Sequence, residues 1–297
     1  KGHIELYGEK YHCWKKKGHG FLDMREGIKQ SCDVYFYEVA RKLGIDRLSE
    51  TAKKFGLGKK VLDNIMEERS GLVPNTKWKK KYIGKSWYLG ETLHAGIGQG
   101  YWQVSPLQLC LMTAQVANGG YKIEPRIVLN QEEERKFKDL NEFISEKKLF
   151  SDDKMSLYEL ITRFKYKSLF RNSENIKFVQ DALFGATNEP MGTSYRSRLT
   201  KEEFIFAGKT GTSQVRRFTE KQRELEIKNE DLPYEQRDHA LFVAFAPYHE
   251  PRYSISVLVE HGGSGSGSAA PIAKKVIKKV LERHSLRESY RDKWDSI

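Results

Sequence analysis

The sequence contains no run of about eighteen apolar residues, so nothing in its 297 residues reads as a membrane-spanning helix. It opens on Lys1 without the basic and then apolar pattern of a secretory leader. There is no internal repeat and no recognisable nucleic-acid-binding module; the Lys and Arg residues are scattered rather than interleaved with aromatics. The net charge of +12 favours anionic partners in general, and with no such module it reads as a basic surface rather than a nucleic-acid interface. Cysteine is scarce, with only Cys13, Cys32 and Cys110. Residues 1–30 contain no serine at all. What is present, 38% hydrophobic and 31% charged residues, fits a soluble globular protein with a substantial core.

Residues 1–30 read as a loop-rich lead-in, and residues 31–55 as helix, turn and helix broken at Gly44. Pro74 and the cluster Trp78-Lys-Lys-Lys-Tyr82 suggest an exposed loop. Residues 105–118 read as a helix, with Ser105 as N-cap, Pro106 at the first position, and Leu107, Leu109, Leu111, Met112 and Val116 as core side chains. Two polar insertions are expected, near 130–180, where a mixed-charge run at 130–138 should be surface, and at 216–238, a long hairpin excursion. Ala240–Ala246 and Tyr253–Val259 read as central strands. A Gly/Ser loop over Gly262–Gly267 leads to a closing helix, Ala269–Arg283, with Val276, Ile277, Val280 and Leu281 as its apolar stripe and Lys274, Lys275, Lys278 and Lys279 on a solvated face. Strands followed by a helix, after a helical block, imply an α+β design over 1–297: an antiparallel sheet covered by helices, with a cleft between the sheet edge and the helical block.

The most informative stretch is Phe206–Val215, which holds Lys209-Thr210-Gly211-Thr212 after an apolar run. A lysine here supplies positive charge for a carboxylate. A threonine hydroxyl can bond that carboxylate, and a glycine lets substrate approach the backbone. By itself the tripeptide reads as a strand followed by a turn. Other segments join it: Gly18-His-Gly20, Ser31-Cys32-Asp33, Tyr35-Phe-Tyr37, Lys53-Lys-Phe-Gly-Leu-Gly58, Gly96-Ile-Gly-Gln-Gly-Tyr101, Val104–Leu109 and Ala117-Asn-Gly-Gly120. In this order and spacing they resemble the transpeptidase domain of class B penicillin-binding proteins, and within it the elongation-specific penicillin-binding protein 2 class. The resemblance covers roughly residues 10–125 and 183–283, with Ala182–Thr193 similar to the helix and loop before the Lys-Thr-Gly strand.

The resemblance implies a penicillin-binding transpeptidase fold and three active-site elements: a Ser-x-x-Lys at a helix start, a Ser-x-Asn or Ser-x-Asp loop, and Lys-Thr-Gly. The second and third are Ser31-Cys32-Asp33 and Lys209-Thr210-Gly211. The first should precede Ser31, where no serine exists, so the nucleophile is expected outside this sequence, upstream, and the fold is expected to be incomplete at its N-terminus. Ser145-Glu-Lys-Lys148 and Ser151-Asp-Asp-Lys154 fit the pattern but lie in a polar insertion. A solvated lysine there stays protonated near ~10.4 and cannot act as a base. By resemblance, Ser31 relays a proton, Asp33 accepts hydrogen bonds and stabilises Lys209 as an ion pair, and Lys209 raises the local potential. Thr210 and Thr212 bind the donor carboxylate beside Gly211, and the Thr212 N–H forms half of an oxyanion hole. Read from the residues alone, Ser31 is also a candidate helix N-cap. The implied activity is peptidoglycan D,D-transpeptidation during wall elongation, with stem peptides, β-lactams and membrane partners of the elongation machinery as ligands. The implied location is the periplasmic face of the bacterial inner membrane, held by an anchor outside this sequence. A catalytically inactive scaffold, or a penicillin-sensing or hydrolysing relative, is the alternative.

Cys13, His19 and Cys32 have a spacing that could ligate zinc, with His3, His12 or an upstream residue as fourth ligand. Zinc-binding members of the resembling class have ligands near these positions. A Cys13–Cys32 disulfide or two free thiols are the other readings. Neighbours in an extended segment point to opposite sides, so Cys32 could anchor the loop from behind while Ser31 and Asp33 face the cleft. Cys110 reads as core. His94, His239, His261, Tyr101 and Trp102 read as structural or packing residues.

Overall fold

The structure is a computed structural model that describes residues 1–62, 65–127, 167–216 and 229–294, together with 135 and 227. The lead-in is more ordered than its composition suggests. Strands β1 (His3–Leu6) and β2 (Glu9–His12) pair as an antiparallel hairpin around Tyr7 and Gly8, both at positive φ. That pair of dihedrals is the primed turn that matches strand twist, and a tyrosine in its first position hid the signal. Helix α1 (Met24–Lys29) follows, capped by the Asp23 carboxylate on the Glu26 N–H.

Helices α2 (Asp33–Leu43) and α3 (Ile45–Lys54) meet at Gly44, whose φ of 77° a side chain would resist. The expected exposed loop near Trp78 is instead helix α4 (Thr76–Ile83), started by Asn75 accepting from the Trp78 N–H. Its Lys79 is only 2% exposed and bonds both carboxylate oxygens of Glu91, at 2.5 and 2.6 Å, on helix α5 (Leu89–Gly96). A fully paired ammonium is what permits this burial.

Helix α6 (Pro106–Ala117) begins as expected, in a reciprocal capping box between Ser105 and Gln108. Its buried face differs from the apolar set read from the sequence. Leu111 and Val116 are buried, but with them are Gln108, Thr113 and Gln115, while Leu107, Leu109 and Met112 are half-buried. Gln108 donates to the carbonyls of Lys59 and Ser70, and Gln115 donates to that of Phe55. The helix therefore stitches down two loops with polar side chains, a role that an apolar-periodicity argument cannot see. Ser105→Ala is expected to destabilise the protein by about 1 kcal/mol in urea titration, because it exposes one helix-end donor without a partner.

Helix α7 (Glu174–Asn188) starts inside the stretch expected to be a polar insertion. The mixed-charge run at 130–138, apart from residue 135, and both Ser145 and Ser151 lie outside the described residues. Much of the expected excursion at 216–238 also lies outside them. Its described end is tied back, with Leu232 buried and Asp238 accepting from Val215 N and Asn229 Nδ2.

Strands β3 (Ala207–Ser213), β4 (His239–Ala246) and β5 (Tyr253–Val259) form an antiparallel sheet in that order, with Lys209 opposite Val243 and Gly211 opposite Leu241. β4 is central as expected, whereas β5 is a border strand among the described ones. Phe206, Phe242, Ala244 and Ala246 pack against Ala269, Ala270, Ala273, Ile277 and Leu281, which places helix α8 (Ala270–Trp294) on one face. Small residues at its start bring that helix close to the sheet. Val276, expected in the stripe, is 43% exposed, because the burial spacing runs 270, 273, 277, 281. On the other face α6 crosses β4 and β5, where Ser254 Oγ meets Cys110, and α7 lies along β3. The architecture is the expected α+β one, and it leaves the outer edge of β3 facing the helical block. No helix among the described residues is long and apolar enough to cross a membrane.

Candidate active site

Between α1 and α2 the chain reverses at Ser31, whose φ is 54°. Cys32, not Ser31, is the N-cap of α2, so the structure removes the capping reading of Ser31. The non-glycine left-handed residue is held by its neighbours: Trp14 Nε1 donates to the Ser31 carbonyl at 2.9 Å, and the Ser31 N–H donates to Ile28 O at 3.2 Å. Its hydroxyl is thereby aimed at β3, where Lys209 Nζ donates to Ser31 Oγ at 2.9 Å across 178 positions of sequence. Lys209 also donates to the Thr210 carbonyl at 3.1 Å.

Asp33 sits differently from the sequence reading. Its Oδ2 accepts from the Trp14 N–H at 2.9 Å, and it bonds the Cys13 side chain. Burial pushes its carboxyl pKa up, against the opposing pull of Trp14, Cys13 and the Lys209 charge. Burial likewise pushes Lys209 down to about 8, with the Asp33 charge opposing. The expected mutual support of the two charges is present, each opposing the other's shift, and desolvation exceeds it at both ends.

Thr210 Oγ1 donates to Thr193 Oγ1 at 3.1 Å, which joins the loop after α7 to the strand. That loop is anchored near Ser31 as well. Thr193 N donates to Lys29 O, and Arg25 of α1 binds Asp181 of α7 and Glu189 just past its end, while Lys29 also reaches Glu189. Gly211 has a packing reason to lack a side chain: its Cβ would come 3.2 Å from Leu241 Cβ, and the Gly265 turn lies against its backbone. Thr212 is exposed at the free edge, where its carbonyl accepts from Gln99 Nε2 at 2.6 Å. A cavity of about 660 Å³ opens beyond this edge, lined by Tyr11, Glu91, His94, Tyr101, Trp102 and residues 213–216. Tyr101 and Trp102 also have packing bonds, to Glu91 and to Ala95 O. His239 and His261 form a structural pair, with rings 4.6 Å apart and the His261 N–H donating to His239 Nδ1.

Behind Ser31, Cys13, His19 and Cys32 bring their ligand atoms within 4.8 Å of one another. Cys13 Sγ and His19 Nδ1 are 3.5 Å apart. Bond lengths of ~2.3 Å for sulfur and ~2.1 Å for nitrogen put two such ligands about 3.6 Å apart around a tetrahedral ion. His19 Nε2 is buried without a partner, and burial pushes the Cys13 thiol up to about 11. Both cysteines are buried and free, with no disulfide between them. A cluster of two sulfurs and an imidazole nitrogen at this spacing fits a zinc ion. His3 and His12 do not join it; their rings meet each other, and His3 lies 3.6 Å from Glu5 on the hairpin.

Sequence reasoning linked Lys209 to Ser31, which the structure bonds directly, and grouped Cys13, His19 and Cys32, which the structure brings together. It missed Trp14, Thr193 and Gln99. Trp14 carried a signal in its place directly after Cys13, and Gln99 in its glycine-rich loop. Thr193 carried one only as the end of the segment Ala182–Thr193 that resembles the loop before the strand.

A lysine on the outer strand of an antiparallel sheet, bonded to a serine at the head of a facing helix, defines the cleft of the serine enzymes that react with penicillin. The family model described as Penicillin binding protein transpeptidase domain matches residues 1–278. The chain belongs to that family. It is 35% identical over 265 residues to the peptidoglycan D,D-transpeptidase MrdA of Salmonella typhimurium, covering 89% of this chain and 39% of that protein. The chain therefore spans about two fifths of the length of such relatives. Among solved structures, PBP2 from Helicobacter pylori in complex with MreC matches with a TM-score of 0.74 and 29% identity, over 95% of this chain and 44% of that one. PBP2 of Pseudomonas aeruginosa in complex with WCK 5153 matches at 0.70 and 32%, over 94% and 54%.

Proposed function

We propose that this chain carries two walls of the active site of a peptidoglycan D,D-transpeptidase that cross-links stem peptides during wall elongation. The observation that carries the reading is the 2.9 Å bond from Lys209 to Ser31, made by two segments that share nothing but this cleft. In this reading the nucleophilic serine and its lysine come from outside the two walls described, since residues 1–30 before Ser31 contain no serine. The serine oxygen bonds the carbonyl carbon of the penultimate D-alanine, and the Thr212 N–H at the strand edge receives the charge on the carbonyl oxygen. Ser31 passes the proton lost by the nucleophile to the departing amine as the C–N bond breaks, and Lys209 keeps its hydroxyl in line. Thr210 and Thr212 hold the terminal carboxylate, and Gly211 keeps the strand close to the sheet. An amine of a second stem peptide then takes the acyl group. Asp33 acts by fixing the loop, through Trp14 and Cys13, rather than by pairing with Lys209.

Cys13, His19 and Cys32 are the residues that hold zinc in this reading, with a fourth ligand from outside the trio. The ion supplies no step of the reaction; it locks the loop that presents Ser31. The enzyme works at the periplasmic face of the inner membrane, is acylated by β-lactams, and docks elongation partners of the kind MreC is for the Helicobacter pylori protein.

The test is peptide mapping of the full-length protein after exposure to benzylpenicillin. The expected adduct lies on a serine outside residues 1–297 that is followed three residues later by lysine. An adduct on Ser31 would reassign the nucleophile. No adduct on folded protein would leave a scaffold that keeps the cleft without the reaction.

A further inference from the structure

Among the described residues β3 pairs with β4 on one side only, so its outer edge offers backbone groups to the cleft. One of them, and the N–H of Gln214 just past the end of the strand, are taken by a single side chain. Gln99 Nε2 donates to Thr212 O at 2.6 Å, and Gln99 Oε1 accepts from Gln214 N at 3.4 Å. A carboxamide has the donor and acceptor of a peptide group, so Gln99 satisfies this edge as an added strand does. Any peptide laid along β3 past Thr212 needs those same two groups.

The turn that carries Gln99 leaves open space around its side chain. Gly98 and Gly100 flank it at φ of 76° and 83°, both exposed, and a Cβ on Gly98 would meet nothing within 4 Å. Gln99 also lines the cavity beside the strand, which gives the side chain somewhere to turn. Ser213, Gln214 and Val215 line the same cavity, so a peptide that follows the edge of β3 runs directly into it.

We propose that Gln99 competes with the acyl-donor peptide for the edge of β3: its carboxamide must leave Thr212 O and Gln214 N before a peptide strand can pair there. The inference rests on the transpeptidase reading for the identity of the peptide, but not for the competition itself. The edge groups are those of a strand, so the ligand class is an extended peptide or an acylamido compound with an N–H for Thr212 O.

Gln99→Ala removes the competitor from an exposed loop, where melting temperature should hold. In the full-length protein, equilibrium binding of an N-acylated peptide ending in D-Ala-D-Ala is expected to tighten about three- to tenfold, the worth of one or two net hydrogen bonds. Acylation by benzylpenicillin is expected to gain the same factor through tighter initial binding, with the first-order acylation step unchanged. A penam without the side-chain amide is expected to show no change. If Gln99 instead grips substrate, the variant binds more weakly and the proposal is overturned; unchanged binding overturns it too. Tighter peptide binding without any wild-type adduct would uphold the competition and remove the transpeptidase reading. A wild-type adduct without tightening would do the reverse.

Discussion

Lys209→Met is expected to lower the acylation rate constant for penicillin by about 10³-fold while leaving the folded protein as stable or more stable at neutral pH. The activity loss follows from position. Lys209 Nζ is the donor that aligns Ser31 Oγ, and it places positive charge in the cleft where a substrate carboxylate must sit. The stability gain follows from desolvation. Burial lowers the Lys209 pKa from 10.5 to about 8, so the folded state gives up this proton more readily than the unfolded chain does. Below pH 8 both states hold the proton, and the full penalty of burying the ammonium is present. Between about 8 and 10.5 the unfolded chain binds more protons, so stability rises with pH across that window. The total rise is at most ~3 kcal/mol, at 1.36 kcal/mol per unit. Methionine keeps the stem and removes this titration, so the stability difference between wild type and variant should change with pH between about 8 and 10.5 by the Lys209 contribution, whatever other groups such as Cys13 add to both curves. Urea titrations of both proteins over that range decide the matter. A variant less stable than wild type at pH 7, with a parallel pH curve, would mean that Lys209 is held as a well-paired cation, and the mechanism given to it would fail.

Residues whose neighbours in sequence determine their structure were legible without coordinates. Gly44 marks a helix break, Ser105 and Pro106 mark a helix start, and the alternation in Ala240–Ala246 gives the central strand. Lys209 and Ser31 were legible as a pair only because the order of several motifs was known. Nothing in either segment states a distance between them. The misreadings share one cause. The core of α6 was sought among apolar residues, yet Gln108 and Gln115 are buried because they satisfy carbonyls of distant loops. Lys79 looked like part of a solvated cluster and is buried because Glu91 meets it. Asp33 and Lys209 were read as stabilising each other as ions; that attraction is present, and the burial that outweighs it in both shifts is what charge signs do not show. In each case a polar side chain takes its role from a partner far away in sequence, which local pattern cannot supply. The same holds for Thr193 and Gln99, whose partners lie on β3.

On the zinc reading, removing metal from the full-length protein is expected to lower the melting temperature by at most about 5 °C, the shift that ~3 kcal/mol produces over 297 residues. Acylation by penicillin should fall with it. The link is structural. Cys32 lies between Ser31 and Asp33 and opens α2, so a bond at its sulfur fixes the backbone that aims both neighbours. Cys13 is followed by Trp14, whose two N–H groups hold the Ser31 carbonyl and the Asp33 carboxylate. Freeing the cluster therefore releases the Ser31 loop at both ends, and the left-handed conformation of Ser31 loses the contacts that hold it. Cys32→Ser and Cys13→Ser should each reproduce the effect of a chelator, and a chelator should then have little further action on either variant. Three readings are needed together: metal content of the purified protein, melting temperature, and acylation rate. Buried thiols in a metal-free site behave differently from ligands, since two free cysteines would titrate with a thiol reagent on unfolding and no metal would be released. Protein that carries no stoichiometric zinc, yet melts and acylates normally, would show that Cys13, His19 and Cys32 are packed side chains and that Trp14 holds the Ser31 loop without them.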